Sequence, residues 1–284
     1  MTYYKTAAFS SPRRQTEVSR QSDNQTSPLR RIFSIASNTF REAVRDRVLY
    51  NLVLFVLLIT AGAIFLGELT AGQEARTIVN LGLGACLLFG AFISIFVGVS
   101  LVSKEIEKRT VYAIFSKPIS RAEFILGKYF GLCLTLLVNV LVMGVGVSLA
   151  LLAVGGKDFA LIIWGAIFLI YLELTILIAV AILFSSFSSP ALSALLSFFV
   201  FIIGHFSASL NDLAGNIGSS FAKYFFGAIY YVLPNLSLYV FRTETAHGIA
   251  PSASMIFGAL GYAAVYVAIL LVVTILIFSR RNFK

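Results

Sequence analysis

Residues 104–123 read KEIEKRTVYAIFSKPISRAE, a charged island between two long apolar runs. Charge is scarce elsewhere, since 58% of the 284 residues are hydrophobic and only 12% are charged. A membrane-spanning chain needs only a few residues to turn around at the bilayer surface. About twenty residues of mixed charge at one turn therefore indicate a surface that another protein contacts. The island predicts a membrane protein that is driven by, or docked to, a soluble partner.

The composition excludes an ordinary soluble domain. The mean hydropathy is +0.90, and the chain contains 26 Phe and 12 Tyr, whereas a soluble domain is about one quarter charged. The apolar residues occur in blocks of about twenty, the length that an α-helix needs to cross roughly 30 Å of hydrocarbon. These blocks lack the strict alternation of outer-membrane strands. The predicted class is therefore an all-α, polytopic helical membrane protein.

Hydropathy predicts six transmembrane spans. They lie near residues 48–67, 80–102, 124–153, 160–184, 190–210 and 255–278. With this arrangement, 18 of the 22 Lys and Arg residues fall on one side of the membrane. Positive charge favours the cytoplasmic side, so we expect a multi-pass protein of the plasma (inner) membrane with both termini in the cytoplasm. The net charge of +9 then reflects orientation, and no nucleic-acid partner is expected.

One aromatic stretch, residues 221–241, complicates the span count. It is apolar enough to resemble a seventh span, which would place the C-terminal arginines outside, but it contains Lys223, Pro234 and Asn235. Tyr and Phe collect at the membrane interface. We therefore predict that the outer segment, residues 211–254, holds helices lying in or dipping into the outer interface.

The N-terminal region divides into two parts. Residues 1–28 are rich in Ser, Thr, Gln and Arg and are predicted to form a disordered cytoplasmic tail. Residues 29–47 show helical periodicity, with an apolar stripe at Leu29, Ile32, Phe33, Ala36, Phe40, Ala43 and Val44. We expect this helix to lie flat at the cytoplasmic interface, with its arginines near anionic lipid. The alternative is a cytosolic helix packed on another domain, although the chain offers no other soluble domain.

The island itself has the pattern of a structured elbow. Residues 103–116 can form a short helix that Pro118 stops. Ser120 and Glu123 then match a capping box, so the third span is predicted to begin near Arg121. The alternative is a solvated loop whose charges only maintain topology. The order of helix, proline and cap favours a defined shape.

Three motifs carry a family resemblance. They are FREAVRDR at 40–47, the island from Glu107 to Arg121, and YYVLPNL at 230–236. In this order they resemble the type-2 ABC transporter permeases, and are most similar to the branch linked to multicopper enzyme maturation; the likeness covers residues 29–284. The resemblance implies an interfacial elbow helix, a coupling helix within residues 103–120, and short outer helices. The elbow and outer motifs include Phe40, Arg41, Arg45, Asp46, Arg47, Tyr231, Pro234 and Asn235.

The resemblance also implies partners. It predicts the permease subunit of an exporter, which forms the transport path as a homo- or heterodimer and works with separate ATPase subunits. The chain contains no G-x-x-x-x-G-K-[ST] phosphate loop, so ATP and Mg are expected on the partner and no cofactor on this chain, which would not itself be an enzyme. By analogy, the ATPase-coupling residues are Glu105, Ile106, Glu107, Lys108, Arg109, Thr110, Ser116, Lys117, Pro118, Ser120 and Arg121.

Glu173 is the one acidic residue near the middle of a predicted span. An isolated charge there costs about 2.5–3.5 kcal/mol even on insertion scales. It is either a polar contact in the substrate path or at a permease–permease interface, or a structural partner of Asn139 or Thr135. His205 and His247 are interpreted as structural or exposed residues. The few Cys, His and Met residues show no metal-site spacing, so we expect no metal site.

Other functional classes remain for comparison. A membrane scaffold could recruit a cytoplasmic partner through residues 103–123 without any ATP-linked movement, and it would share every feature above. An intramembrane enzyme is disfavoured because the sequence has no H-E-x-x-H motif. A proton-coupled secondary transporter would show more intramembrane ionisable residues and repeat-related broken helices.

Overall fold

A computed structural model describes residues 28–45, 54–55, 58–59, 62, 72–107, 120–207 and 220–280. At 45, 101–107 and 220–223 it describes the backbone alone. Regular structure in these residues is helical, without strands, which confirms the all-α class for the described part. The helices are α1 (Pro28–Arg45), α2 (Glu74–Glu107), α3 (Arg121–Ala153), α4 (Lys157–Ser185), α5 (Pro190–His205), α6 (Ser220–Val232), α7 (Arg242–Ala246) and α8 (Ala253–Arg280). A short 3-10 helix, Leu236–Tyr239, lies between α6 and α7.

Four of the described helices are long and apolar enough to cross a membrane. These are α2 as far as Ser100, α3, α4 and α8, with 27 to 33 residues each. At 1.5 Å per residue each is about 40 Å long or more, beyond the roughly 30 Å of a hydrocarbon core. They correspond to the predicted second, third, fourth and sixth spans. Helix α5 has only 16 residues, and most of the predicted first span lies outside the described residues, so the count of six remains a prediction.

Helix α4 forms the centre of the bundle. In its apolar stretch, 78% is buried inside the protein, whereas the share for the apolar stretch of α8 is 17%. Glycines on α2 allow the close approach, since a Cβ at Gly90 would lie 2.3 Å from Leu174 Cδ1 and one at Gly98 would lie 3.0 Å from Ala181 Cβ. Small residues at helix contacts are typical of membrane bundles, where backbones must approach closely to pack well. The position of Glu173 on α4 therefore places it deep inside the protein.

Helix α1 packs against the beginning of α3. A Cβ at Gly127 would lie 2.6 Å from Ile35 Cβ, and one at Gly131 would lie 2.6 Å from the carbonyl oxygen of Ala36. On α1, Thr39 is fully buried, whereas Phe33 is 74% exposed. The apolar stripe of α1 is thus divided between α3 and a free edge. The predicted helix is confirmed, its contact with α3 was not foreseen, and its place at the cytoplasmic interface stays a prediction.

The segment between α5 and α8 reaches into the bundle. Its two helical parts, Tyr224–Val232 and Leu236–Ala246, meet at a bend of 52°. Tyr239 Oη donates to the carbonyl oxygen of Ala259, and Tyr266 Oη donates to that of Val232. The segment therefore runs antiparallel to the first half of α8, about 9–20 Å from the start of that helix. Counting the bent pair as one span would give five candidate spans among the described residues.

Candidate functional site

The predicted coupling residues are only partly described. Helix α2 continues without a break through Glu107, so the first five residues of the predicted coupling region extend that helix. The side chains of Glu105, Ile106 and Glu107 lie outside the described residues. So do Lys108, Arg109, Thr110, Ser116, Lys117 and Pro118, together with Asp46, Arg47 and the side chain of Arg45 in the elbow motif. Ser120 and Arg121 are described, and both make specific contacts.

The predicted capping box at the start of α3 is confirmed. Ser120 Oγ accepts a hydrogen bond from the backbone N–H of Glu123, at 3.1 Å, and the backbone N–H of Ser120 donates to Glu123 Oε2, at 2.7 Å. These bonds satisfy backbone donors that a helix N-terminus leaves without partners. Glu123 Oε2 also lies 3.7 Å from Arg31 Nη1 of α1. The cap therefore fixes the first turn of α3 and joins it to α1.

Arg121 connects the same turn to the end of α8. Its Nη1 donates to the carbonyl oxygens of Phe278, at 2.7 Å, and Ser279, at 2.6 Å. The last carbonyls of a helix have no partner within the helix and carry its negative dipole end, so a guanidinium stabilises them well. The Phe124 ring stacks on Phe278 with centroids 6.0 Å apart. We call the contacts of Arg31, Ser120, Arg121 and Glu123 with each other and with the end of α8 the basal clamp.

A second ion pair strengthens the connection between α1 and α3. Lys128 Nζ lies 3.7 Å from Glu42 Oε2, and the Lys128 side chain is 3% exposed. A buried charge that loses its partner is strongly destabilising, so this pair keeps α1 in register on α3. Helices α1, α3 and α8 are consequently joined at one end of the bundle.

Asn235 organises the bend between α6 and the 3-10 helix. Its Oδ1 accepts from Ser207 Oγ and Ser237 Oγ, and its backbone N–H donates to Tyr262 Oη at 2.9 Å. Irregular backbone at membrane depth is tolerated only where protein or water satisfies its polar groups, and these bonds meet that need. Pro234 lies at the same bend, whereas Tyr231 is 85% exposed. The LPN motif thus holds the bend in place.

A cavity of about 70 Å³ lies beside this bend. It is bordered by α2, α4, the end of α5 and the chain that enters α7, and it is partly open. Its lining residues are Leu83, Leu87, Ala166, Ile170, Glu173, His205, Tyr239, Val240, Phe241 and Arg242. The cavity therefore combines an apolar wall with three side chains that can carry charge.

Glu173 and His205 contact each other in the wall of this cavity. Glu173 Oε1 lies 3.3 Å from His205 Nε2, and the Glu173 side chain is 1% exposed. Neither carboxylate oxygen has a hydrogen bond in the described part of the chain. The expected structural partners are engaged elsewhere, because Asn139 Nδ2 donates to the carbonyl oxygen of Thr135 and Thr135 Oγ1 donates to that of Gly131. The partner of Glu173 is therefore the histidine that the sequence suggested was merely structural.

Comparison with known families agrees with this architecture. A family model described as "ABC-2 family transporter protein" matches residues 33–283. The chain belongs to the ABC-2 transporter family. A search of the curated proteins finds no match. The protein is therefore a multi-pass membrane component of an ABC transporter, a permease subunit, and the family match includes α2 to α8 and most of α1.

The sequence does not bring together two cavity residues of this ABC-2 permease. The sequence predicts His205 to be structural or exposed, and Arg242 enters the prediction only through membrane orientation. Arg242 is one of just four Lys and Arg residues on the side predicted to be outer, and it follows the aromatic run YVF at 239–241. A positively charged residue directly after an aromatic segment is the sequence signal that could have identified Arg242. His247, by contrast, is exposed, follows the last residue of α7, and contacts the carbonyl oxygen of Thr243 in that helix.

Substitution of Tyr262 by phenylalanine tests the bend in the ABC-2 permease. Tyr262→Phe removes the acceptor for the part-buried backbone N–H of Asn235, and loss of such a hydrogen bond costs about 0.5–1.5 kcal/mol. We expect a lower thermal midpoint in lipid nanodiscs. Tyr224→Phe is the control, since Tyr224 lies on α6 and is 79% exposed. Equal midpoints for the two variants would contradict a stabilising role for this bond.

Proposed function

We propose that this permease is the membrane-spanning subunit of an ATP-driven exporter. It forms the transport path as a dimer and couples to a separate P-loop ATPase subunit that binds ATP and Mg. The distribution of Lys and Arg supports cytoplasmic termini in the plasma (inner) membrane, with the basal clamp on the cytoplasmic side. In this orientation the free apolar edge of α1, which includes Leu29 and Phe33, would contact lipid.

The basal clamp is the observation that supports coupling most directly. Residues 103–120 lead straight into Ser120 and Arg121, whose bonds fix α3 to α8 and, through Glu123, to α1. An ATPase that displaced this region would therefore move three helices as one body. Transport would follow from repacking these helices against their neighbours, since packed interfaces switch between discrete arrangements.

We also propose a specific branch within the ABC-2 family. The motifs at 40–47 and 230–236 support the branch linked to multicopper enzyme maturation. In the residues that the structure describes, no three His, Cys, Asp or Glu side chains cluster in a way that could hold a metal ion. The proposed branch therefore does not include a proposal that copper is the cargo.

Co-purification tests the proposed coupling. The full-length permease would be expressed with the candidate P-loop ATPase and reconstituted in nanodiscs, as wild type and as Glu107→Ala/Arg109→Ala. We expect a stable wild-type complex, and a variant whose ATPase activity is lost or no longer responds to the permease, because the docking charges are gone. The effect should be about tenfold or more, since loss of a charged contact typically costs 2 kcal/mol or more.

A matched control uses Lys157→Ala/Asp158→Ala, which also removes one cation and one anion. Both residues are exposed and lie at the opposite end of the bundle, at the start of α4. This variant should retain wild-type association and activity. Failure to associate with any P-loop ATPase, or activity indifferent to the Glu107/Arg109 change, would overturn the coupling proposal and favour a scaffold that recruits another partner through residues 103–123.

A further inference from the structure

We propose that the cavity beside the bend binds the anionic group of a small amphiphile, with Arg242 as its charged contact. As a statement about cargo, this inference rests on the proposed transport function. As a statement about binding, it depends only on the cavity. The Glu173–His205 pair is neutral, Arg242 is positively charged, and the remaining wall is apolar.

The Glu173–His205 pair is electrically neutral as a unit. His205 Nδ1 lies 3.1 Å from the carbonyl oxygen of Phe201, and a carbonyl only accepts, so Nδ1 carries a hydrogen. Nε2 and Glu173 Oε1 are 3.3 Å apart, and two bare acceptors would repel each other at that distance. A single proton on either atom removes this repulsion, although the two atoms are not placed to form a hydrogen bond in the described part of the chain. Whichever atom carries it, the net charge of the pair is zero.

Arg242 then gives the cavity a net positive charge. Its side chain lines the cavity, and Nη1 approaches α2 at Gly84, where a Cβ would lie 3.4 Å away. The small residue thus leaves room for the guanidinium against the helix. Tyr239 does not balance this charge, because its hydroxyl donates to the carbonyl oxygen of Ala259. Arginine is well suited to carboxylate and phosphate groups because it can offer two parallel N–H donors.

The rest of the wall suits an apolar body rather than a free inorganic ion. Leu83, Leu87, Ile170 and Phe241 are among the residues that line it. A volume of about 70 Å³ holds roughly five water-sized groups, which is enough for an anionic group and a few carbon atoms. A longer chain would extend through the opening of the cavity. The ligand class is therefore a carboxylate or phosphate carried on an apolar chain, either free or as a lipid headgroup.

Binding to matched six-carbon probes tests this inference. The full-length permease, without ATPase, would be placed in phosphatidylcholine nanodiscs and titrated with hexanoate, hexylammonium and hexanol, with empty nanodiscs subtracted. Calorimetry should show saturable binding of hexanoate, about tenfold tighter than of the other two probes, since a charge-assisted contact is gained. Adding phosphatidylglycerol to the nanodisc distinguishes the sources: competition identifies a lipid headgroup, and unchanged hexanoate affinity identifies a free anion.

The variants separate this site from its alternatives. Arg242→Gln should weaken hexanoate binding about tenfold, whereas Arg242→Lys should retain part of it. Arg76→Gln is the control, because Arg76 is an exposed cation on α2 that does not line the cavity. Glu173→Gln should change the affinity less than about twofold, because an amide N–H can replace the proton of the pair without changing the net charge.

Two outcomes would overturn the inference. Preferential binding of hexylammonium that Glu173→Gln abolishes would make the cavity a cation site. Equal uptake of all three probes, insensitive to Arg242→Gln, would reduce it to apolar partitioning. Because the permease is titrated alone, a negative result here leaves the ATPase coupling intact, and loss of coupling in the Glu107/Arg109 experiment leaves this binding intact.

Discussion

Replacing Gly131 by leucine is expected to detach α1 from α3 and to lower the free energy of unfolding by about 3 kcal/mol. Even the first added carbon has no room, since a Cβ at this position would lie 2.6 Å from the Ala36 carbonyl oxygen and 2.7 Å from Thr39 Cβ. A backbone carbonyl cannot rotate aside as a side chain can. Relief therefore requires α1 to move away, which would also separate Arg31 from Glu123 and Glu42 from Lys128.

Two measurements check this expectation in nanodiscs of one lipid composition. The thermal midpoint of Gly131→Leu should fall well below that of Gly261→Leu, the control on α8, where nothing lies within 4 Å of the added Cβ. In a Thr39→Cys background, maleimide labelling should accelerate strongly with Gly131→Leu, because Thr39 is fully buried under α3. The two native cysteines are buried as well. Slow labelling in the Gly131 variant would contradict the packing.

Features that depend on local sequence were predictable. The capping box was read from Ser120 and Glu123 because its bonds span only three residues. The spans that became α3, α4 and α8 followed from uninterrupted apolar runs, since the bilayer fixes the length of helix required. Helix α1 followed from its apolar periodicity. In each case the physical cause lies within one continuous segment.

Features that join distant segments were not predictable. A glycine on α3 shows no sequence sign that α1, almost a hundred residues earlier, packs on it. Arg121 was expected to contact an ATPase, yet its described bonds go to carbonyls 157 and 158 residues away. Glu173 was matched with polar residues on α3, whereas its partner, His205, lies at the end of α5. Hydropathy orders the helices but does not specify which faces meet, and side-chain pairing depends on those faces.

The outer segment also shows that sequence alone does not specify which helix faces meet. Its Tyr content predicts a position in or near the outer membrane interface, which stays a prediction, but aromatic residues also serve as hydrogen-bond partners inside a bundle. Tyr239 and Tyr262 each bond across the contact between this segment and α8. Composition alone cannot distinguish a tyrosine that lies at the interface from one that fastens an embedded bend. The positions of its partners along α8 show which part of that helix the segment contacts.

Substitution of Arg121 by glutamine is expected to uncouple α8 from the ATP-driven movement. The shorter neutral side chain cannot reach both the Phe278 and Ser279 carbonyls, which Arg121 Nη1 now contacts at 2.7 and 2.6 Å. Hydrogen bonds from a charged donor contribute about 1.5–3 kcal/mol each. With the proposed ATPase bound, we expect permease-dependent ATP hydrolysis to fall about tenfold. Amide hydrogen exchange in the last turn of α8 should also become faster, since its end would fray.

Arg280→Gln provides the comparison, because it removes an exposed positive charge from the last turn of α8 itself. A cation at a helix C-terminus contributes only about 0.3–1 kcal/mol through the helix dipole, so this variant should affect exchange weakly and leave ATP hydrolysis unchanged. The pair of variants separates a mechanical connection from general electrostatics. Equal effects of the two variants on exchange and hydrolysis would show that Arg121 acts only through its positive charge. Normal ATP hydrolysis with fast exchange in Arg121→Gln would show that α8 moves independently of α3.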